Sequence, residues 1–228
     1  MKLSKRIFKT KTNQRCNLHQ LGANMSALDK SFLQMLVGGG TKYFFDEHGN
    51  ITGTETIAGA DDVIYVNGNN MSLSGSMGLK EPAEGGQQSG VTFTGSALSQ
   101  DVFQFLADNT DVEWGYCFKK GESGGLLTTS NSKHSVDIPN EAKASESGYD
   151  SYMHNHSQTA AETKLTEKQI NEFNSHPSQA DINRMEALGY ASGIIYNEGN
   201  GSFAEYNSRT TTQETLAKLN KWELVEQK

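Results

Sequence analysis

The chain has 228 residues, 35% of them hydrophobic, with 23 glycines, 3 prolines, and 27 acidic against 20 basic side chains. That length suffices for one large domain or a domain with a smaller module, and the scarcity of proline excludes collagen-like and proline-rich architectures. A formal charge of −7 gives no general attraction for phosphate backbones, which argues against broad nucleic-acid binding; no apolar run is long enough to span a membrane; and two cysteines, Cys16 and Cys117, make neither a disulfide framework nor a CxxC zinc knuckle.

Met1 to Lys11 is basic, but no apolar stretch follows it, so it does not read as a signal peptide. Between Asn13 and Val37, the residues Leu28, Phe32, Met35 and Leu36 recur at helical spacing, and Gly38-Gly39-Gly40 should stop that helix. Tyr43-Phe44-Phe45-Asp46, the turn His48-Gly49-Asn50, and Ile51 to Thr56 predict a β-hairpin. Asp62 to Val66 predicts another short strand, ended by Asn67-Gly68-Asn69-Asn70. From Met71 to Gly95, Ser, Gly, Gln and Glu dominate, which predicts a linker or long surface loop and divides the chain into 1–70, 71–95 and 96–228.

The remainder is denser in signals. Leu98, Val102, Phe103, Phe105 and Leu106 mark an amphipathic helix over Ala97–Ala107, followed by strands at Asp111–Lys119, Leu126–Ser130 and Tyr149–His156. Thr166 to Phe173 opens on a capping-box pattern and should be helical, as should Ser178 to Leu188, with Gly189 just past its end. Tyr190–Tyr196 and Ser202–Tyr206 predict a hairpin, and Thr215–Val225 a terminal helix.

Chemistry concentrates in Met153-His154-Asn155-His156-Ser157. On a strand, residues two apart share a face, so His154 and His156 present two imidazoles together, a natural pair of zinc ligands. Downstream, Ser178 fits an N-cap and Asp181 the third helical position; Ser-x-x-Asp is also an ordinary capping pattern, but beside a histidine pair Asp181 offers an oxygen ligand and Ser178 a hydroxyl. Upstream, Val112, Trp114, Tyr116 and Phe118 alternate onto a core face. Glu113, Gly115 and Cys117 then share the other face, an open surface of small residues that suits Glu113 as a general base.

The order Glu113, His154-x-His156, Ser178-x-x-Asp181 resembles the signature of the JAMM (MPN/JAB) zinc metalloproteases. Asp111-Val112-Glu113-Trp114-Gly115, with the earlier Gly-Asn-Ile and Asp-Asp-Val-Ile-Tyr-Val segments, is similar to the JAB-like toxin domains at the C-termini of Rhs-type polymorphic toxins of Bacteroidetes. The resemblance covers about residues 97–210. It implies an α/β fold of the MPN, or cytidine-deaminase-like, kind: a mixed curved sheet flanked by helices, here after a small β-rich N-terminal region. It implies Zn²⁺ on His154, His156 and Asp181, with Glu113 as base, Ser178 as oxyanion donor, and hydrolysis of a peptide or isopeptide bond in a protein substrate. It also implies a delivered bacterial effector acting inside a target cell and checked by an immunity protein.

The chain departs from the family pattern in three places. Ser157 stands where proline usually follows the second histidine, the gap from His156 to Ser178 is long enough for an inserted helix, and the glycine after the glutamate is one position closer. His176 and Asp150 are rival third ligands, and Cys117 a rival nucleophile. His154-Asn155-His156 spells HNH, but nucleases of that name draw those residues from separated segments. The competing functional classes are a metal-free MPN-like scaffold and a metal-dependent nuclease toxin.

Overall fold

A computed structural model describes residues 39–58, 61–80, 90–157, 159 and 164–222. The helix expected over Asn13–Val37 lies outside the described residues.

Strands β1 (Gly40–Phe45) and β2 (Ile51–Ile57) form the expected hairpin. Its turn is local chemistry: Asp46 Oδ1 accepts from the backbone N–H groups of His48 (3.0 Å) and Asn50 (2.8 Å). β3 (Val63–Val66) runs parallel to β1, and β4 (Asn69–Ser72) returns antiparallel to β3. Asn67 and Gly68 do not simply end the strand; with φ of 50° and 85° they make the left-handed pair of a tight hairpin turn. The four-stranded sheet has the order β2-β1-β3-β4.

The linker expected over 71–95 is not what the described part of that segment forms. β5 (Gly78–Leu79) and β6 (Val91–Gly95) are strands of the second sheet, and Leu73, Met77 and Phe93 are core residues. Few apolar residues suffice because the segment is tied by polar groups as well. The buried Asp62 carboxylate accepts from Thr41 N at 2.6 Å and Met77 N at 2.5 Å, and Thr92 Oγ1 meets Thr128 Oγ1 at 2.9 Å.

Helix α1 (Gln100–Asn109) is capped by Ser99, whose hydroxyl accepts from Val102 N, and buries Val102, Phe103, Leu106 and Ala107. Then come β7 (Trp114–Phe118), β8 (Gly125–Thr129), a short 3₁₀ turn (Asn140–Ala142), the one-turn helix α2 (Ala144–Ser147) and β9 (Ser151–His156). Helices α3 (Glu167–Asn174) and α4 (Gln179–Ala187) follow, then β10 (Gly193–Asn197), β11 (Ser202–Tyr206) and α5 (Gln213–Asn220). The terminal helix thus starts two residues earlier than its apolar spacing indicates, because Thr212 caps it. The seven-stranded sheet runs β11-β10-β9-β7-β8-β6-β5, with β9 and β10 parallel and the other pairs antiparallel. A parallel pair needs a crossover, and here it carries α3 and α4.

Both faces of this sheet are covered. On one, Phe45 and Phe93 pack at 5.8 Å and Phe45 and Trp114 at 5.9 Å, joining the two sheets, and Phe103 stacks on Tyr116 from α1. On the other, Ile182, Met185 and Leu188 pack with Cys117, Val136, Ile138, Tyr152 and Ile195. The face of Glu113, Gly115 and Cys117 is therefore closed, contrary to the open surface expected from its small residues. A Cβ at Gly115 would overlap Ile138 Cδ1 and lie 3.2 Å from Val136 Cγ2, so the glycine makes room for this layer. The structure is the expected mixed α/β arrangement, with two mixed sheets flanked by helices.

Candidate metal centre

All six residues of β9 are buried, including the polar His154, Asn155 and His156. Burying polar side chains in a central strand is costly unless each finds partners, so their contacts identify what the strand is for. The register pairs Gly115 with His154 and Cys117 with Tyr152. Directly opposed residues share a face, so the face of Glu113, Gly115 and Cys117 is the face of the two histidines.

On that face, His154 Nε2 and His156 Nε2 lie 3.1 Å apart. Asp181, in the first turn of α4, brings Oδ1 to 3.4 Å from His154 Nε2 and Oδ2 to 3.4 Å from His156 Nε2. Potential ligand atoms of all three residues fall within 4.8 Å of one another, and among the described residues no other such trio of His, Cys, Asp or Glu side chains meets. Ser178 caps α4 and directs Asp181: its N–H and hydroxyl donate to Oδ2 at 2.7 and 2.8 Å, while Asp181 N donates back to the serine oxygen at 3.1 Å. The ordinary capping box and the proposed ligand geometry are thus the same set of bonds.

The donor set fits a divalent cation. His156 Nδ1 lies 3.1 Å from Asn174 O and 3.2 Å from Gln213 Nε2; in the tautomer that donates to the carbonyl, the Nε2 lone pair faces inward. Burial disfavours the charged form of His154, although Asp181 opposes that effect. Burial would also raise the Asp181 carboxyl, but the charges and hydrogen bonds of the two imidazoles outweigh it and hold the group well below the usual carboxylate range. In the tautomer protonated at Nδ1, each imidazole would instead present an Nε2 lone pair beside the Asp181 anion, an arrangement that a cation converts from repulsion to coordination. His154 is held by packing, stacked on Tyr152 at 5.2 Å with the edge of Tyr206 at 5.9 Å, and its Nδ1 is buried without a hydrogen-bond partner.

Glu113 is buried at the entrance to β7, anchored through its own backbone: its N–H donates to Ser132 O at 2.8 Å and its carbonyl accepts from Thr129 Oγ1 at 2.7 Å. Burial, then the charges of Asp181 and Glu198, push its carboxyl well above the ordinary value, so it lies within the electrostatic reach of the trio. The rival residues are elsewhere. His176 bonds the carbonyl of Glu172 at 2.8 Å at the end of its own helix. Asp150 accepts from Lys120 N and Ser151 Oγ before the far end of β9. Cys117 is fully buried, and burial pushes its thiol up to about 12, so it is no nucleophile.

Two further residues went unread in the sequence. Asn155 Oδ1 accepts from Trp114 N at 2.5 Å, and its Nδ2 donates to Val112 O at 3.1 Å and to the Glu198 carboxylate. Burial above all pushes the Glu198 carboxyl up to about 8. Glu198, Ser157, Asn171 and Asn174 help line a cavity of about 450 Å³ beyond the end of β9. Little in the sequence pointed to Asn155, because its partners lie far away along the chain.

A family model described as JAB-like toxin 1 matches residues 91–205, just over half of the chain. No curated protein and no solved structure matches the chain. The matched span runs from β6 into β11 and contains Glu113, both histidines, Ser178 and Asp181. On a match of that extent, the chain belongs to the JAB-like toxin 1 family.

Proposed function

We propose that the chain is a zinc-dependent hydrolase of peptide or isopeptide bonds, the toxic tip of a delivered Rhs-type effector that acts inside a target cell. The observation that carries this reading is the meeting of His154, His156 and Asp181, with the buried carboxyl of Glu113 under the charge of Asp181. His154, His156 and Asp181 would hold Zn²⁺. Bound there, zinc lowers the pKa of water toward ~7, polarises a carbonyl, and offsets the Asp181 charge that raises Glu113.

In this reading Glu113 takes the proton of the attacking water and passes it to the leaving amine. Its buried position keeps that proton from bulk solvent. Ser178 donates a hydrogen bond to the oxyanion that develops on the substrate carbonyl, an effect typically worth ~3 kcal/mol. Its hydroxyl is bonded to Asp181 in the structure, so this role requires it to turn toward substrate. The toxin reading brings in a second partner, an immunity protein, for which a cover over the metal site is the simplest inhibition.

Elemental analysis of the purified chain should find one zinc per molecule, and His156→Ala should abolish both the zinc and the growth arrest caused by expression in a naive bacterial host. A metal-free wild type that reconstitutes with no zinc would point instead to the scaffold class. Cleavage of RNA or DNA but not of protein would point to a nuclease.

A further inference from the structure

Asn155 stands between the two histidines, and by strand alternation its side chain leaves β9 on the face opposite theirs. It is wholly buried, and its carboxamide makes three hydrogen bonds, all to residues at least 41 positions away. The partners fix the orientation of the amide: an N–H faces its oxygen, while a carbonyl and a carboxylate face its nitrogen. The pairing of β7 with β9 ends at Gly115↔His154. Just past that point the Asn155 side chain substitutes for the missing ladder. It engages Val112 O and Trp114 N, the backbone groups immediately before and after Glu113.

Glu113 itself precedes the strand, so the sheet ladder does not hold it. Its own N–H and carbonyl are engaged on the side of Ser132 and Thr129; the flanking groups are engaged by Asn155 on the side of the ligand strand. We propose that Asn155, anchored by Glu198, is a positioning residue that clamps the peptide groups on both sides of Glu113 and so sets the carboxylate against the ligand trio. One side chain thereby joins the strand that carries both histidines to the segment that carries the base. Its catalytic consequence rests on the hydrolase reading; the clamp does not. A proton acceptor displaced by ~1 Å loses on the order of 10² in rate, so such a bond matters most where the backbone is otherwise irregular.

The test uses the zinc-loaded full chain with fluorescein-labelled casein and a fluorogenic isopeptide as probes, together with hydrogen exchange at the Trp114 amide. Asn155→Ala should lower kcat by roughly 10–100-fold, the usual effect of removing a group that orients a metal site. KM and zinc content should not change, and the Trp114 amide should exchange faster. Combined with Glu113→Gln, Asn155→Ala should cost nothing further, because a clamp has no value once the base is gone. Glu198→Gln, which still offers an acceptor, should behave like wild type, and Glu198→Ala should fall toward Asn155→Ala. Multiplicative losses in the double variant, loss of zinc from Asn155→Ala, or unchanged protection of Trp114 would overturn the proposal. If Asn155→Ala does not fold, the Glu198 pair decides, and equal rates for Gln and Ala at that position count against the clamp. If zinc-loaded wild type turns over neither probe, the hydrolase reading falls, and Trp114 exchange alone judges the clamp.

Discussion

Glu113 and Asp181 are two carboxyls under opposite electrostatic pressure. Asp181 is held ionised by two imidazoles, whereas Glu113 is pushed toward its protonated form by burial and by the charges of Asp181 and Glu198. Separated proton affinities of this kind suit one group to hold a cation and the other to move a proton. Glu113→Gln keeps the shape of the side chain and removes its basic oxygen. Zinc content should stay at the wild-type level, since Glu113 is not one of the converging trio, while turnover should fall by roughly 10²–10⁴. Near wild-type hydrolysis in this variant would remove Glu113 as the base. Loss of zinc would make it a ligand. Glu122 is not a substitute: it pairs with Lys119 at 2.6 Å on an exposed turn.

At the level of elements, what was readable in the sequence is what local bonds decide. The capping box of Thr166 with Gln169 and that of Ser178 with Asp181 are seen as their spacing predicts, and so is the His48-Gly49-Asn50 turn. The His-x-His face and the Asp181 position followed from strand and helix periodicity alone. What was not readable depends on remote partners. β4 is polar and becomes a strand through pairing with β3; β6 contributes one wholly buried residue, Phe93; and the layer over Gly115 comes from Val136 and Ile138, about 20 residues away in the chain. α3, the helix in the long gap between His156 and Ser178, also supports the site, because Asn174 O holds the His156 ring and Phe173 O accepts from Gln213. Thr166→Ala removes the cap of that helix. It should cost about 1 kcal/mol, a fall of roughly 2–4 °C in melting temperature by thermal denaturation. An unchanged melting temperature would mean that the box contributes nothing.

Across the whole molecule the two sheets are joined by one aromatic core, in which Tyr43, Phe45, Phe93 and Trp114 meet. The N-terminal hairpin is part of the same body as the candidate site: Asp111 N donates to Glu47 O at 2.7 Å, and His48 Nδ1 meets Asp111 Oδ1 at 2.9 Å. No helix among the described residues is long and apolar enough to cross a membrane. Stability should carry a pH signature from Glu198. Its carboxyl is raised from 4.5 to about 8 in the fold, so the native state keeps a proton that the unfolded chain releases. Stability from this group is therefore full below the unfolded value and declines as pH rises through the window up to about 8. Glu198→Gln cannot ionise. Its melting temperature relative to wild type should climb from pH 5 to pH 8 and then level off; a constant offset across that range would show that Glu198 does not titrate there.

Trp114 has a consequence of an optical kind. It is one of two tryptophans, it is fully buried, its indole N–H donates to Thr110 Oγ1 at 2.9 Å, and its amide is tied to the residue between the two histidines. Trp222 is only partly covered, by the small cluster of Leu165, Ile170 and Phe173. Burial should therefore place the emission of Trp114 to the blue of that from Trp222. A quenching ion such as Co²⁺, seated at the trio, should dim the Trp114 emission. Trp114 would then be an intrinsic fluorophore for testing whether a metal binds at the trio, with no label added.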